Sequence, residues 1–290
     1  MPLDAAPLAP LLAGGDLAYV AVTSASGPMV TPVLFAFRDD RIWMVLPRRS
    51  AKVGAIARDA LVGVTIPTPT ATVVVQGEAR VVDPLDASTL FSSIPEVVRS
   101  PRAAASYVVD NVRHLGGVVA GGSLEPRAMA AVRVERALVV RGTGDLWSEG
   151  DWRAGPILEG GDHHLDAPAL DLADVPGDLA TLAGEARPIF VGWRTPTGPV
   201  ALPGAWDPDR RVATVRSDVF GAVGGAVDGP ACVVFDATIG TDLDDKMGMV
   251  LRGAAYAHPR DDDAVDLAVD VERVSWWQGG ESETVALAAS

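Results

Sequence analysis

The chain has 290 residues, of which 48% are hydrophobic and 21% are charged, so it can bury a sizeable core and is not disordered. Its formal net charge of -14 argues against a nucleic-acid partner, and no apolar run is long enough to cross a bilayer. The single cysteine, Cys232, excludes a disulfide framework, and the first residues lack a signal-peptide pattern. We therefore expect a soluble, cytoplasmic globular protein with neither a nucleic-acid nor a membrane partner.

The first half of the sequence is predicted to form strands around one short helix. The strands are expected at 17–23, 30–37, 41–46, 62–66, 71–82 and 130–141, with a hairpin turn at Asp39-Asp40. The short helix is expected at 51–59. A longer helix is predicted to begin at Ser100-Pro101 and to end at Gly116-Gly117, because these residue types favour helix starts and ends.

The second half repeats this order, with strands expected at 189–194, 200–206, 211–215, 231–235, 248–257 and 268–277 and a helix from Val219. Anchors that align the halves include Gly27-Pro28 with Gly198-Pro199 and Gly77 with Gly253. We predict a first copy at 1–150 with a helical insert at about 84–127, a linker at 151–183 and a second copy at 184–290. Such short strands indicate a mainly β (α+β) protein of two small barrels, packed as a pseudo-dimer.

A cluster of positive charge lies where the third strand meets the short helix. Arg48, Arg49 and Lys52 surround Ser50, whose hydroxyl is placed to cap the helix. Cations beside a helix start favour an anion, and phosphate is a common occupant. The alternative is a capped helix with solvated arginines. Lysine is scarce, because Lys52 and Lys246 are the two lysines among the 24 basic residues.

The strand pair with its tight turn, the Ser-x-Lys at the helix start and the Gly-x-Ala near a strand end resemble the FMN-binding split barrel of the pyridoxamine 5'-phosphate oxidase-like superfamily. The matching segments are residues 31–35, 43–46, 50–52, 76–80, 134–141 and 271–278. The resemblance implies two tandem split β-barrels with flavin bound where they meet.

The resemblance also implies three groups of cofactor contacts. Beside the flavin ring it places Thr31, Pro32, Val33, Val45 and Leu46. At the phosphate it places Ser50, Lys52 and Arg49. From the opposite barrel it brings Thr72 and, on the last strand, Trp276 or Trp277.

The second copy departs from the pattern, because Asp218 follows its serine and Val219 stands at the lysine position. A carboxylate repels phosphate, so we expect one flavin per chain. The resemblance then implies an FMN-dependent oxidoreductase that acts on a small molecule. No catalytic acid or base is assigned, because the cofactor carries the reaction.

Three alternatives remain open at this point. Coenzyme F-420 could replace FMN, although its acidic tail would need a more basic groove than this acidic chain offers. The chain could instead be a non-enzymatic flavin-binding protein or a cofactor-free binding module. We assign no metal site: His163-His164 lie in the polar linker, and the acidic turn at 242–246 lacks the glycine and spaced ligands of a calcium loop. Further oligomerisation is also left open.

Overall fold

The structure is a computed structural model that describes residues 3–83, 94–110, 127–142, 144–153, 170–237, 246–279 and 281–287. In the first half, the strands are β1 (Ala18–Ser24), β2 (Gly27–Val33), β3 (Phe35–Arg38), β4 (Arg41–Pro47), β5 (Leu61–Pro67), β6 (Thr72–Val82), β7 (Arg127–Arg141) and β8 (Asp145–Glu149). The helices here are α1 (Ala9–Leu12), α2 (Ala51–Arg58) and α3 (Ile94–Asp110), and a 3-10 turn at Ala6–Leu8 precedes α1.

The strands of the first half follow the order β2-β1-β5-β6-β7-β4-β3, and β8 pairs with β7. The two ends of this order, β2 and β3, are separated in the chain by Leu34 alone, so the backbone itself links the first strand of the sheet to the last. The barrel interior is packed with buried aliphatic side chains such as Val20, Val64, Val75 and Val132.

In the second half, the strands are β9 (Arg187–Thr195), β10 (Gly198–Asp207), β11 (Val212–Arg216), β12 (Asp228–Asp236), β13 (Met247–Pro259), β14 (Ala264–Gln278) and β15 (Glu281–Ala286). Two short helices, α4 (Gly177–Ala180) and α5 (Ser217–Ala222), accompany them, with a 3-10 turn at Thr181–Gly184. Strand β11 pairs with both β10 and β14, which closes six strands into a ring in the order β10-β9-β12-β13-β14-β11.

The two halves have the same topology, which confirms the predicted tandem pair of barrels. The continuous β10 corresponds to β2 and β3 together, and β15 lies beside β14 as β8 lies beside β7. Each barrel carries one bulge, between Gln76 and Gly77 in β6 and between Arg252 and Gly253 in β13. A Cβ at Gly77 would lie 2.0 Å from the Arg133 carbonyl oxygen, and one at Gly253 would lie 1.6 Å from the Asp270 carbonyl oxygen. Glycine is therefore required at both bulges.

Several predicted elements need correction. The helix of the insert begins at least six residues before Ser100 and contains Pro101, so this pair does not mark its start. Strands β8 and β15 were not predicted, since both are short and mostly exposed. The predicted helix end at Gly116-Gly117 lies outside the described residues, and the domain boundaries stay a prediction.

The described part of the insert packs on the outside of the first barrel. Tyr107 of α3 contacts the cluster around Leu34 and Ala36, and Ala103 packs against Trp43. A hydrophobic cluster therefore fixes α3 to the outer face of β3 and β4.

The two barrels meet across a pseudo-two-fold interface. Tyr19 and Phe190, which are equivalent positions of the two copies, stack with ring centroids 3.6 Å apart. The Tyr19 hydroxyl donates to the Asp236 carboxylate at 2.8 Å. The backbones approach closely here, because a Cβ at Gly63 would lie 2.5 Å from the Pro199 carbonyl oxygen. The interface therefore fixes the position of each barrel against the other.

Candidate functional site

A cavity of about 560 Å³ lies between the two barrels. The first copy contributes residues from β2, the end of β4 and the first turn of α2: Met29, Thr31, Pro32, Pro47, Ala51 and Lys52. The second copy contributes Lys246, which directly precedes β13, and residues of β13, β14 and β15: Val250, Arg252, Ser275, Trp276, Trp277, Glu281, Ser282, Glu283 and Thr284. Neither copy alone forms this site.

The first copy brings Lys52 into the cavity from the start of α2. Ser50 caps this helix, and its hydroxyl accepts a hydrogen bond from the Val53 amide at 3.4 Å. This cap sets the first turn, on which Lys52 lies two residues later. The Lys52 ammonium donates to the Thr31 hydroxyl of β2. The helix cap and the strand together position the lysine.

The second copy brings the other lysine, Lys246, to the same cavity. Burial, together with repulsion by Lys246, lowers the pKa of Lys52 to about 8. Burial likewise lowers the pKa of Lys246 to about 8, against an opposing effect of Asp236. None of the ion pairs formed between described residues includes either lysine. Two lysines that form no ion pair with a described residue make this end of the cavity attractive to an anion, although Asp236 acts on Lys246 and Glu281 and Glu283 also line the cavity.

Sequence reasoning missed Lys246, which it treated as part of an acidic turn. The scarcity of lysine was the available signal, because both lysines of the chain line one cavity. The two residues are 194 positions apart, and the packing of one barrel on the other brings them together.

Two tryptophans of β14 form an aromatic wall of the cavity. Trp276 is 9% exposed, and its Nε1–H is buried with no hydrogen-bond partner among the described residues. Trp277 packs over Gly248, where a Cβ would lie 2.4 Å from its ring. An unpaired buried donor is costly, so an acceptor that reached it would be stabilised.

The structure brings some of the sequence-predicted contacts together and separates others. Those that line the cavity are Thr31, Pro32, Lys52 and Trp276, with Trp277. Val33 and Leu46 are instead buried in the core of the first barrel, and Val45 packs beside Leu34 and Ala36 on its outer face. Strand alternation explains why Val45 and Leu46 point to opposite sides.

The remaining predicted contacts do not line the cavity either. Ser50 caps α2, and Arg49 is exposed. Arg48 pairs with Asp83, so it is already neutralised. Thr72 begins β6, opposite Val140, and so belongs to the pseudo-equivalent groove, which is the second position between the barrels that the duplication relates to this cavity. The second cation beside Lys52 is therefore Lys246, where the sequence suggested Arg49.

The pseudo-equivalent groove is filled with apolar side chains. At the positions equivalent to Thr31, Lys52, Val250 and Trp277 of the cavity, this groove has Leu202, Val219, Val74 and Val140, in that order. All four replacing residues are buried in one hydrophobic cluster, against which Leu146 and Trp152 pack. Among the described residues, this groove therefore has neither the lysines nor the open space of the cavity.

Among the described residues, no group of three or more His, Cys, Asp or Glu side chains could hold a metal ion. The linker histidines His163-His164 lie outside the part of the chain that is described. Among the described residues, no helix is long and apolar enough to span a membrane.

No family model and no curated protein matches the sequence. Solved structures with similarity to the chain include a FAD-binding protein from Mesorhizobium loti, 15% identical, with a TM-score of 0.36, covering 49% of this chain and 98% of its own. A pyridoxamine 5'-phosphate oxidase-related, FMN-binding protein from Nostoc punctiforme is 13% identical, with a TM-score of 0.35 and coverage of 50% and 92%. A NimC/NimA family protein from Clostridium acetobutylicum is 13% identical, with a TM-score of 0.32 and coverage of 48% and 86%. The strand order found in both halves makes this chain a tandem pair of split β-barrels.

Proposed function

We propose that this protein binds one FMN in the cavity between its barrels and uses it as an oxidoreductase. The observation that carries the proposal is the meeting of Lys52 and Lys246, one from each copy, in a cavity with an aromatic wall. Paired cations suit a phosphate dianion, and aromatic rings suit a planar cofactor.

The cavity fits FMN in size and in chemistry. Its volume of about 560 Å³ falls in the range of roughly 300–1,000 Å³ that small-molecule sites occupy. One end offers two ammonium groups, and the walls offer Met29, Val250, Trp276 and Trp277 to an apolar ring. The unpaired Nε1–H of Trp276 leaves a donor for a ring heteroatom.

Bound FMN would supply two-electron redox chemistry at its ring. The protein's part is to bind and orient it. Lys52 and Lys246 would hold the phosphate, and the hydroxyl of Thr31 keeps the Lys52 ammonium directed toward β2. The tryptophans would cover the ring and exclude water from it.

The first experiment is an absorption spectrum of the purified protein, followed by the mass of any small molecule that heat releases. We expect a flavin spectrum and FMN at one equivalent per chain, because the second groove is filled. Two equivalents would contradict the single-site account. Release of coenzyme F-420 would show that the cofactor is coenzyme F-420 and not FMN. A protein that stays colourless with added FMN would contradict the proposal.

FMN affinity should fall as the pH rises through about 8. Lys52 and Lys246 attract the phosphate when protonated, and burial lowers both pKa values to about 8 in the ligand-free protein. At pH 7 both are largely charged, whereas at pH 9 binding must first take up protons, since the bound anion raises each pKa. We expect affinity to fall by about tenfold or more from pH 7 to pH 9, measured by quenching of FMN fluorescence.

Riboflavin is the matched control for this pH effect, since it has the same ring and no phosphate. Its affinity should change little between pH 7 and pH 9. The phosphate itself is not the cause, because its second pKa of about 6 lies below this interval. An FMN affinity that is constant over the same interval would show that neither lysine contacts the phosphate.

A non-enzymatic flavin-binding role is the second candidate. The observation that favours it is that the described residues lining the cavity include no histidine, cysteine, tyrosine or aspartate to move a proton, and the two glutamates among them, Glu281 and Glu283, are exposed. Anaerobic mixing of the FMN-loaded protein with NADH or NADPH, then with oxygen or a quinone, separates the two roles. Reduction and reoxidation faster than for free FMN supports the enzyme, and their absence supports the carrier.

A further inference from the structure

Arg252 lies at the opposite end of the cavity from the lysines. Lys246 directly precedes β13, and Arg252 follows it by six residues, which corresponds to about 20 Å of extended chain. Its guanidinium donates to the hydroxyl of Ser26 at 3.3 Å and to that of Ser275 at 2.6 Å. The Ser275 hydroxyl is also 2.7 Å from that of Thr284. The hydrogen-bond partners of Arg252 are thus neutral hydroxyl groups, and the carboxylates that line the cavity, Glu281 and Glu283 of β15, are exposed and form no ion pair with it among the described residues.

The hydrogen bonding of Arg252 is incomplete. Its Nε–H is buried without a partner among the described residues, and none of the ion pairs between described residues includes it. Burial lowers its pKa, Cys232 opposes this effect, and the positive charge of Arg273 across the strands acts in the same direction as burial. A half-buried arginine of this kind is stabilised by an anion that accepts from its fork of N–H groups.

The internal duplication provides a direct comparison. Gln76 occupies the equivalent bulge position in the first copy and contacts Thr197, the equivalent of Ser26. Its amide donates to the carbonyl oxygens of Gly198 and Pro199 at 3.1 and 3.0 Å and accepts from the Thr197 hydroxyl at 2.8 Å. In the filled groove this position is therefore neutral and fully bonded, and in the open cavity it is charged and incompletely bonded.

From this contrast we propose that the Arg252 end of the cavity binds the carboxylate of a small organic acid, which is the substrate of the flavin reaction. This assignment of substrate class rests on the proposed function. A single guanidinium matches the charge and fork geometry of a carboxylate, whereas a phosphate dianion is better matched by the two lysines at the other end. Met29, Val250 and the tryptophans supply apolar walls for the rest of the substrate.

Calorimetric titration of the FMN-free and FMN-loaded protein with benzoate tests this proposal at constant ionic strength. Benzoate should bind saturably to both forms, and benzyl alcohol, its uncharged analogue, should bind at least tenfold more weakly. Arg252→Gln, which introduces the residue that the first copy has at this position, should weaken benzoate binding about tenfold or more and leave FMN affinity within about threefold. Arg273→Gln is the matched control, because Arg273 pairs across the strands with Arg252 but is exposed and outside the cavity.

The outcomes separate this inference from the proposed function. If FMN binds and benzoate does not, or if Arg273→Gln has the same effect as Arg252→Gln, the carboxylate site is wrong and the flavin site stands. If FMN displaces benzoate, Arg252 belongs to the flavin site and the inference is overturned. If inorganic phosphate binds this end more tightly than benzoate, the substrate class is wrong. If benzoate binds in an Arg252-dependent way and FMN does not bind at all, the anion site stands and the flavin function fails.

Discussion

Replacing either cavity lysine should weaken FMN binding strongly while the fold remains intact. We expect Lys52→Met and Lys246→Met each to raise the Kd for FMN by about 10- to 100-fold, because a hydrogen bond to a charged group contributes about 1.5–3 kcal/mol. Methionine retains most of the apolar stem of lysine, so the loss reports on the ammonium group. Quenching of FMN fluorescence measures the affinity.

Arg58→Met is the matched control, because it removes a positive charge from the same helix at an exposed position outside the cavity. Its Kd for FMN should stay within about twofold of the original protein, since an exposed charge is well screened. Riboflavin affinity should be similar in all variants. An unchanged Kd in both lysine variants would refute the phosphate assignment. A loss of FMN affinity in Lys52→Met alone would show that the second copy does not contribute to phosphate binding.

The close approach of the two barrels should make Gly63→Ala strongly destabilising. The added Cβ would lie 2.5 Å from the Pro199 carbonyl oxygen and 3.0 Å from the Val200 Cα, and backbone atoms cannot move aside as a flexible side chain can. We expect the free energy of unfolding to fall by about 1–3 kcal/mol, the usual cost of overpacking. FMN affinity should fall too, because both barrels supply walls of the cavity. Denaturant unfolding measures the first effect.

Gly54→Ala is the control for this substitution. Gly54 lies inside α2, and its Cβ would meet no atom nearer than the end of the Arg58 side chain at 3.8 Å. Alanine there should raise stability by about 0.4–1 kcal/mol, since it reduces the freedom of the unfolded chain. Equal stabilities of Gly63→Ala and Gly54→Ala would show that the barrels do not meet at β5 as described.

The sequence predicts most of the fold because it contains an internal repeat, so that both halves give the same order of strands. The Gly77 and Gly253 anchors mark the two bulges, where the backbone excludes a side chain, and Asp39-Asp40 forms its hairpin turn with positive φ at both residues. These are local requirements, so a single sequence reveals them. The N-terminal part of α3 escaped prediction because Pro101 lies inside that helix, against its usual preference for the first turn.

The candidate site was less predictable because it lies between the copies. Lys52 and Thr31 sit on neighbouring elements of one barrel, and the motif that contains them pointed to both. Lys246 and Arg252 reach the cavity only through the packing of the second barrel on the first. No local pattern marks them, and the register of β13 against β14 decides which residues face the cavity.

The most direct test of the account is a crystal structure of the protein with FMN bound. The account predicts one FMN per chain, between the barrels, with its phosphate in contact with both Lys52 and Lys246 and its ring against Trp276. FMN bound in the groove that holds Val219, or bound between the barrels with its phosphate away from both lysines, would contradict it.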